Sequence, residues 1–252
     1  MNVEPYREFM AELAEQSGAF IRPYFGKRDL AVELKADLTP VTEADRGAEK
    51  LMREMIATTF PTHGVIGEEF GTERPDAEFV WVLDPIDGTK SFTHGVPLFG
   101  TLIGLLHRGL PVLGCIHQPV LNELLVGDNV TATLNGKPAH VRGPREWSEV
   151  TLLTSDPVTA AKAPGFAALA EKAKLVRTWG DCYGYLLVAT GRADVMYDPI
   201  MNLWDIAALV PVIRGAGGLI TDQRGKAPYP ATSIVASSDS TVHRTVISAL
   251  SA

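Results

Sequence analysis

Near the start of the chain, Phe9, Leu13, Phe20, Ile21 and Tyr24 fall close to one face at the helical period, and Gly26 follows as a stop signal. The pattern predicts an amphipathic helix over residues 5–25. A second helix is announced by Thr42, which stands three residues before Asp45 and ahead of the apolar stripe Leu51, Met52, Met55 and Ile56, with Pro61 as terminator. Asp45 would then sit in the first helical turn. From there the pattern shortens to apolar runs of strand length at 64–66, 79–83, 98–106, 112–117 and 123–126, punctuated by the turn signals Arg108-Gly109 and Asn135-Gly136. The first half therefore reads as helices laid on an antiparallel sheet. After Val141, strands at 150–153 and 175–177 alternate with helical stretches around Ala167, Leu186, Ala207 and Val246, a rhythm that favours an α/β layer. The expectation is one compact body of two fused halves, residues 1–140 and 141–252, without internal repeats or low-complexity tracts.

Composition narrows what such a body does. A chain of 252 residues with 46% hydrophobic content buries a substantial core. Its 30 acidic and 23 basic residues give a net charge of −7, with the basic residues scattered, so nucleic-acid and membrane partners are not expected. No apolar run approaches the roughly 20 residues that span a bilayer. The N-terminal stretch MNVEPYREFM has acids where a signal peptide needs a basic and an apolar region, which makes the cytoplasm the expected location. Cys115 and Cys182 are too few for a disulfide framework, and the six histidines show no metal-ligand spacing. Any metal here should have oxygen ligands.

The segment Trp81-Val82-Leu83-Asp84-Pro85-Ile86-Asp87-Gly88-Thr89 ends an apolar strand in two acids that flank a proline. Neighbouring carboxylates repel and raise one another's pKa unless a cation lies between them, and hard oxygen donors suit magnesium. Ile86 can add its backbone carbonyl. Gly88 lets the backbone approach a ligand, so an anion cradle can adjoin the metal. In isolation the same residues also read as a helix cap at Asp84 and an ordinary turn at Asp87-Gly88. Glu68, after the run HGVI, also fits a solvated turn, and Asp205, opening IAALVPVI, also fits a helix N-cap. Only the combination is specific.

That combination, carried by PVTEADRGAEK, GEE, WVLDPIDGTKSF, the GRAD stretch 191–194 and WDIAAL followed by Gly217-Gly218, resembles the inositol monophosphatase family along nearly the whole chain. The resemblance implies a layered α-β-α-β-α fold of mixed α+β and α/β character, homodimers, and lithium-sensitive, magnesium-dependent phosphatase activity. It assigns Glu68, Asp84 and the Ile86 carbonyl to a first Mg2+, and Asp84, Asp87 and Asp205 to a second. A third, weaker ion would lean on Glu68, with Mn2+ a possible substitute. Gly88 and Thr89 would present N–H groups to phosphate, while Asp45, Thr89 and Glu68 would orient the attacking water. The implied reaction is in-line hydrolysis of a small phosphate monoester by metal-activated water, without a covalent intermediate.

The stretch Gly180-Asp181-Cys182-Tyr183-Gly184-Tyr185, with Tyr197-Asp198-Pro199, resembles the histidinol-phosphatase branch more than the inositol branch. The expected substrate is therefore L-histidinol phosphate, its ammonium and imidazole met by Asp181, Asp198 and Tyr183, with Trp204 a second aromatic surface. Asp181 also reads as an N-cap of the helix CYGYLLVAT, and Tyr183 as a core residue. Alternative readings are an inositol-1-monophosphatase, a broad sugar or nucleotide phosphatase, and a non-catalytic metal- or phosphate-binding module.

Overall fold

A computed structural model describes residues 3–35 and 39–251. The first helix, α1 (Glu4–Ile21), continues into a 3-10 turn at Arg22–Tyr24. A two-stranded ribbon, β1 (Val32–Leu34) and β2 (Pro40–Thr42), leads into α2 (Glu43–Thr59). Here Thr42 is the N-cap, its side chain accepting from the Ala44 N–H while the Asp45 side chain accepts from the Thr42 N–H, the reciprocal cap read from the sequence.

The first sheet collects β3 (Gly64–Gly67), β4 (Gly71–Glu73), β5 (Phe79–Asp87), β6 (Gly100–His107), β7 (Leu110–Gln118), β8 (Glu123–Gly127), β9 (Ala132–Leu134) and β10 (Lys137–Pro138), with the short helix α3 (Thr89–Thr93) after β5. Its strand order is β10-β9-β8-β7-β6-β5-β3-β4. One pair departs from the expected antiparallel arrangement: β3 and β5 are parallel, with Gly67 level with Leu83. The reason is the β4 hairpin, which folds back on the outer side of β3. The next strand must reverse again to enter on the inner side, so two reversals restore the direction of β3. This exception matters for function, because parallel neighbours end at the same edge and Glu68 emerges beside Asp84.

The second half supplies β11 (Thr151–Leu153), α4 (Pro157–Ala160), α5 (Phe166–Lys172), β12 (Leu175–Arg177), α6 (Asp181–Ala189), β13 (Val195–Asp198), α7 (Leu203–Gly215), β14 (Leu219–Thr221), β15 (Ile234–Ser237) and α8 (Ser240–Leu250). Its five strands are ordered β12-β11-β13-β15-β14. On one face of the first sheet, Phe9, Leu13, Met52 and Ile56 of α1 and α2 pack on Trp81, Leu83, Ile103 and Leu113. On the other, Leu102, Ile116 and Leu125 share a core with Leu186 of α6, Ile206 and Leu209 of α7, and Ile220 and Ile234 of the second sheet. Phe166, Leu169, Val242 and Val246 cover the far face of that sheet. The layers are thus α-β-α-β-α, and the middle core crosses the expected line near residue 140.

α7 lies so close to the first sheet that the strands beneath it are glycine. A Cβ on Gly114 would stand 2.2 Å from the Ala208 carbonyl oxygen, and one on Gly104 would meet the Ala207 Cβ at 2.9 Å. Gly114→Val should therefore lower unfolding stability by about 1–3 kcal/mol or more, since backbone cannot yield as a side chain does. Urea denaturation checks this; an unchanged midpoint would mean that the helix rides higher than the structure places it.

Candidate active site

The site forms where the C-terminal ends of β3 and β5 meet the N-terminal ends of α6 and α7. In a regular strand Asp84 and Asp87, three residues apart, would point to opposite faces. A bulge prevents this: Asp84 pairs with Leu102 and Asp87 with Gly100, so three steps on β5 span two on β6. The extra residue turns both acids to one side. Pro85 is tolerated because the bulge removes the need for a regular ladder hydrogen bond. The Ile86 N–H then donates to Asp84 Oδ1 at 3.1 Å.

Asp205 arrives from the first turn of α7, where its Oδ2 accepts from the Asn202 N–H at 2.7 Å. It is the third helical residue and not the N-cap, so one oxygen steadies the helix start and the other remains for the cavity. One carboxylate oxygen each from Asp84, Asp87 and Asp205 lies within 4.8 Å of the others. Burial, reinforced by Glu68, Asp87 and Asp205, holds the Asp84 carboxyl well above its ordinary range. Burial, with Asp181 and Asp205, does the same to Asp87. Burial pushes Asp205 up to about 7 against the opposing Asn202 hydrogen bond, with the charges of Glu68, Asp198 and Asp181 adding to the rise. Three converging acids, each made costly to ionise by burial and by neighbouring carboxylates, fit a hard divalent cation.

Glu68 joins this group less directly. Its Oε1 takes a hydrogen bond from Lys35 Nζ at 2.7 Å, and the same ammonium reaches Glu69 Oε1 at 2.6 Å. Burial opposes the Lys35 charge, but these two carboxylates outweigh it and raise the Lys35 pKa. The Ile86 carbonyl accepts from the Thr89 hydroxyl at 2.9 Å and keeps a second lone pair for another partner.

Asp45 and Thr89 meet from different elements. Asp45 Oδ2 is engaged by the Thr42 N–H at 2.8 Å and the Thr42 hydroxyl at 2.6 Å, while Oδ1 faces the Thr89 hydroxyl at 3.4 Å. The single Thr89 proton can go to Ile86 or to Asp45. Burial raises the Asp45 pKa despite its hydrogen bonds to Thr42. Gly88 precedes Thr89 with φ +87°, a left-handed conformation that suits glycine, and a Cβ there would approach the Leu98 carbonyl oxygen to 2.9 Å and Asp181 Oδ2 to 3.0 Å.

A small cavity of about 180 Å³ over these acids adjoins one of about 370 Å³, and Asp87, Lys90, Asp181 and Asp205 border both. Asp181 is the first residue of α6, after the N-cap Gly180, and its φ is +50°. That backbone is held by the Asp181 N–H donating to Ser155 Oγ at 2.7 Å. A non-glycine residue there costs about 1 kcal/mol or more, so the surroundings impose the conformation. Burial and the charge of Asp198 push its pKa up to about 7, with Lys90 opposing.

The structure places the two other expected substrate residues differently from each other. Tyr183 is buried, its hydroxyl donates to Glu123 at 2.9 Å, and it packs in the middle core away from both cavities, because it lies on the face of α6 turned to the first sheet. Asp198 borders the larger cavity, and each of its oxygens accepts one hydrogen bond, Oδ1 from the Ser155 N–H at 2.9 Å and Oδ2 from the Tyr185 hydroxyl at 3.0 Å. Asp198 therefore stands in the cavity wall with its orientation fixed by Ser155 and Tyr185. Trp204 does line the small cavity. Sequence reading missed Lys35, Ser155, Asn202 and Lys90; only Lys90, inside DGTKSF, carried a local signal.

The profile of the inositol monophosphatase family matches residues 2–252. The chain is 44% identical to a histidinol-phosphatase of Chlorobaculum parvum, over 88% of this chain and 87% of that one. It is 41% identical to the bifunctional phosphatase IMPL2, chloroplastic, of Arabidopsis thaliana, over 94% of this chain and 72% of that one. Among solved structures, an inositol monophosphatase from Zymomonas mobilis superimposes with a TM-score of 0.89 at 36% identity, covering 100% of both chains. No helix among the described residues is long and apolar enough to cross a membrane.

Proposed function

Because the chain belongs to the inositol monophosphatase family and is a phosphoric monoester hydrolase, we propose that it hydrolyses L-histidinol phosphate to L-histidinol and phosphate. The observation that carries this substrate is Asp181, a carboxylate that borders both cavities from a left-handed backbone. Identity to the histidinol-phosphatase of C. parvum supports it. The reading places the enzyme in the cytoplasm as a lithium-sensitive homodimer.

In this reading Glu68, Asp84, Asp87, Asp205 and the Ile86 carbonyl would hold two Mg2+ ions, with a third more weakly at Glu68 and Mn2+ as a substitute. A magnesium ion there would supply neutralisation of phosphoryl charge and a lowered water pKa. The Gly88 and Thr89 N–H groups orient the phosphate. The Thr89 hydroxyl receives the attacking water's hydrogen bond while passing its own proton toward Asp45 Oδ1, the acceptor that faces it. Asp45 cannot swing away, because Thr42 grips its other oxygen from two sides. Glu68 borders the same cavity and helps orient that water. Beyond the phosphate, Asp181 pairs with the substrate ammonium and Trp204 offers its indole face to the imidazole.

Phosphate release across a panel of metabolite monoesters tests the substrate. Asp181→Asn should raise KM for histidinol phosphate about 10- to 100-fold, the equivalent of one charge-assisted hydrogen bond, with kcat nearly unchanged. Hydrolysis of a neutral-alcohol monoester should hardly change. The likeness to the Z. mobilis enzyme favours inositol phosphate as a second reading, and a higher kcat/KM for inositol phosphate than for histidinol phosphate would overturn the first.

A further inference from the structure

We propose that Glu49 is a positioning residue of the metal centre, its buried carboxylate fixing the backbone turn that carries Glu68. This rests on the reading of Glu68 as a metal ligand. Glu49 lies one helical turn after Asp45 on α2, so one helix face directs two carboxylates to the site: Asp45 toward Thr89 and Glu49 toward the turn after β3. Glu49 is fully buried. Its Oε2 accepts from the Glu69 N–H at 2.8 Å, and its Oε1 from the Phe70 N–H at 3.2 Å and Arg53 Nε at 2.8 Å. Two successive backbone N–H groups thus close on one anion in a small nest.

The fit extends to Gly67, where a Cβ would come within 2.0 Å of Glu49 Oε1, so the glycine before Glu68 is what lets the carboxylate reach the amides behind it. Arg53 ties the far side of the same turn through a hydrogen bond to the Gly71 carbonyl. A buried charge is costly unless its hydrogen-bonding capacity is met, and an apolar residue would fill this space at less expense. What Glu49 adds is a tether on the residues that follow Glu68. The Glu68 N–H is itself held by the Leu83 carbonyl at 3.2 Å, so the ligand's backbone is clamped from both sides. Groups that hold a ligating carboxylate from behind commonly alter metal affinity 10- to 100-fold when removed.

The test is calorimetric titration of Mn2+ and of Mg2+ into the metal-stripped full-length protein, alongside the magnesium dependence of phosphate release. Glu49→Gln keeps the size of the side chain but replaces a charged acceptor with an amide. It should weaken metal binding about 10- to 100-fold and raise the half-activating magnesium concentration by a similar factor, while KM for substrate at saturating magnesium stays near that of the wild type. Arg53→Met should shift metal affinity the same way by less. A purely packing role would lower the melting temperature in EDTA and leave metal affinity unchanged. Wild-type metal affinity in folded Glu49→Gln protein overturns the inference; if that variant does not fold, unchanged affinity in Arg53→Met does. Glu68→Gln separates the two levels: if it leaves metal binding intact, the ligand assignment itself is wrong. If it weakens binding while Glu49→Gln does not, only the role of Glu49 falls.

Discussion

Asp84→Asn should cut phosphate release by about three to four orders of magnitude, and EDTA should silence the unmodified protein until a divalent ion is restored. Asp84 is buried at the point where β5 breaks into its bulge, and one of its oxygens lies within 4.8 Å of oxygens from both Asp87 and Asp205. Asparagine reproduces its shape and still accepts the Ile86 N–H, so what disappears is the charge. Metal-borne stabilisation of a phosphoryl transition state is worth several kcal/mol, and each 1.36 kcal/mol is a tenfold change in rate. The same substitution removes a member of a mutually repelling cluster. Measured in EDTA, its melting temperature should therefore rise above that of the wild type. Lost activity with gained metal-free stability is a pattern that misfolding does not produce. Full activity of Asp84→Asn, or turnover of the native protein in EDTA, would sink the metal-dependent mechanism.

The second large effect is expected at the proton acceptor. Asp45→Asn and Thr89→Val should each lower kcat about 10²- to 10⁴-fold, the range of general base catalysis, while calorimetric metal affinity stays close to wild type. Thr89→Ser keeps the hydroxyl between Ile86 and Asp45 and should retain most of the activity. Asp45 also closes the N-terminus of α2, and loss of such a cap costs about 0.5–2 kcal/mol, so stability must be measured beside the rate. The two contributions separate cleanly, since Thr89 takes no part in that cap. If Thr89→Val and Asp45→Asn both turn over at wild-type rates, the proton leaves by another route.

Much of this architecture was written locally. α1 and α2 follow from apolar spacing with Gly26, Thr42, Asp45 and Pro61 as their signals, because a helix is decided by residues three and four apart. The strands from β5 to β8 followed from short apolar runs between turn residues for a similar reason. Asp84, Asp87 and Asp205 are legible as a set because each carboxylate interrupts or opens an otherwise apolar, core-forming run, where packing alone would not place an acid.

What the tertiary structure decided depends on groups far apart in the chain or on direction rather than identity. The parallel pairing of β3 with β5 arises from the path of the β4 hairpin, and hydrophobic pattern is blind to strand direction. The bulge that turns Asp84 and Asp87 to one face exists only against β6. Sequence reading could place Asp181 at a helix start, but its left-handed backbone depends on Ser155, twenty-six residues away. Sequence puts Tyr183 and Asp198 near the same motifs, but the fold sets Tyr183 in the core against Glu123 and Asp198 in the cavity wall, oriented by Ser155 and Tyr185. Composition tells which residues are able to bind a ligand, and only the folded chain tells which of them it brings to one cavity.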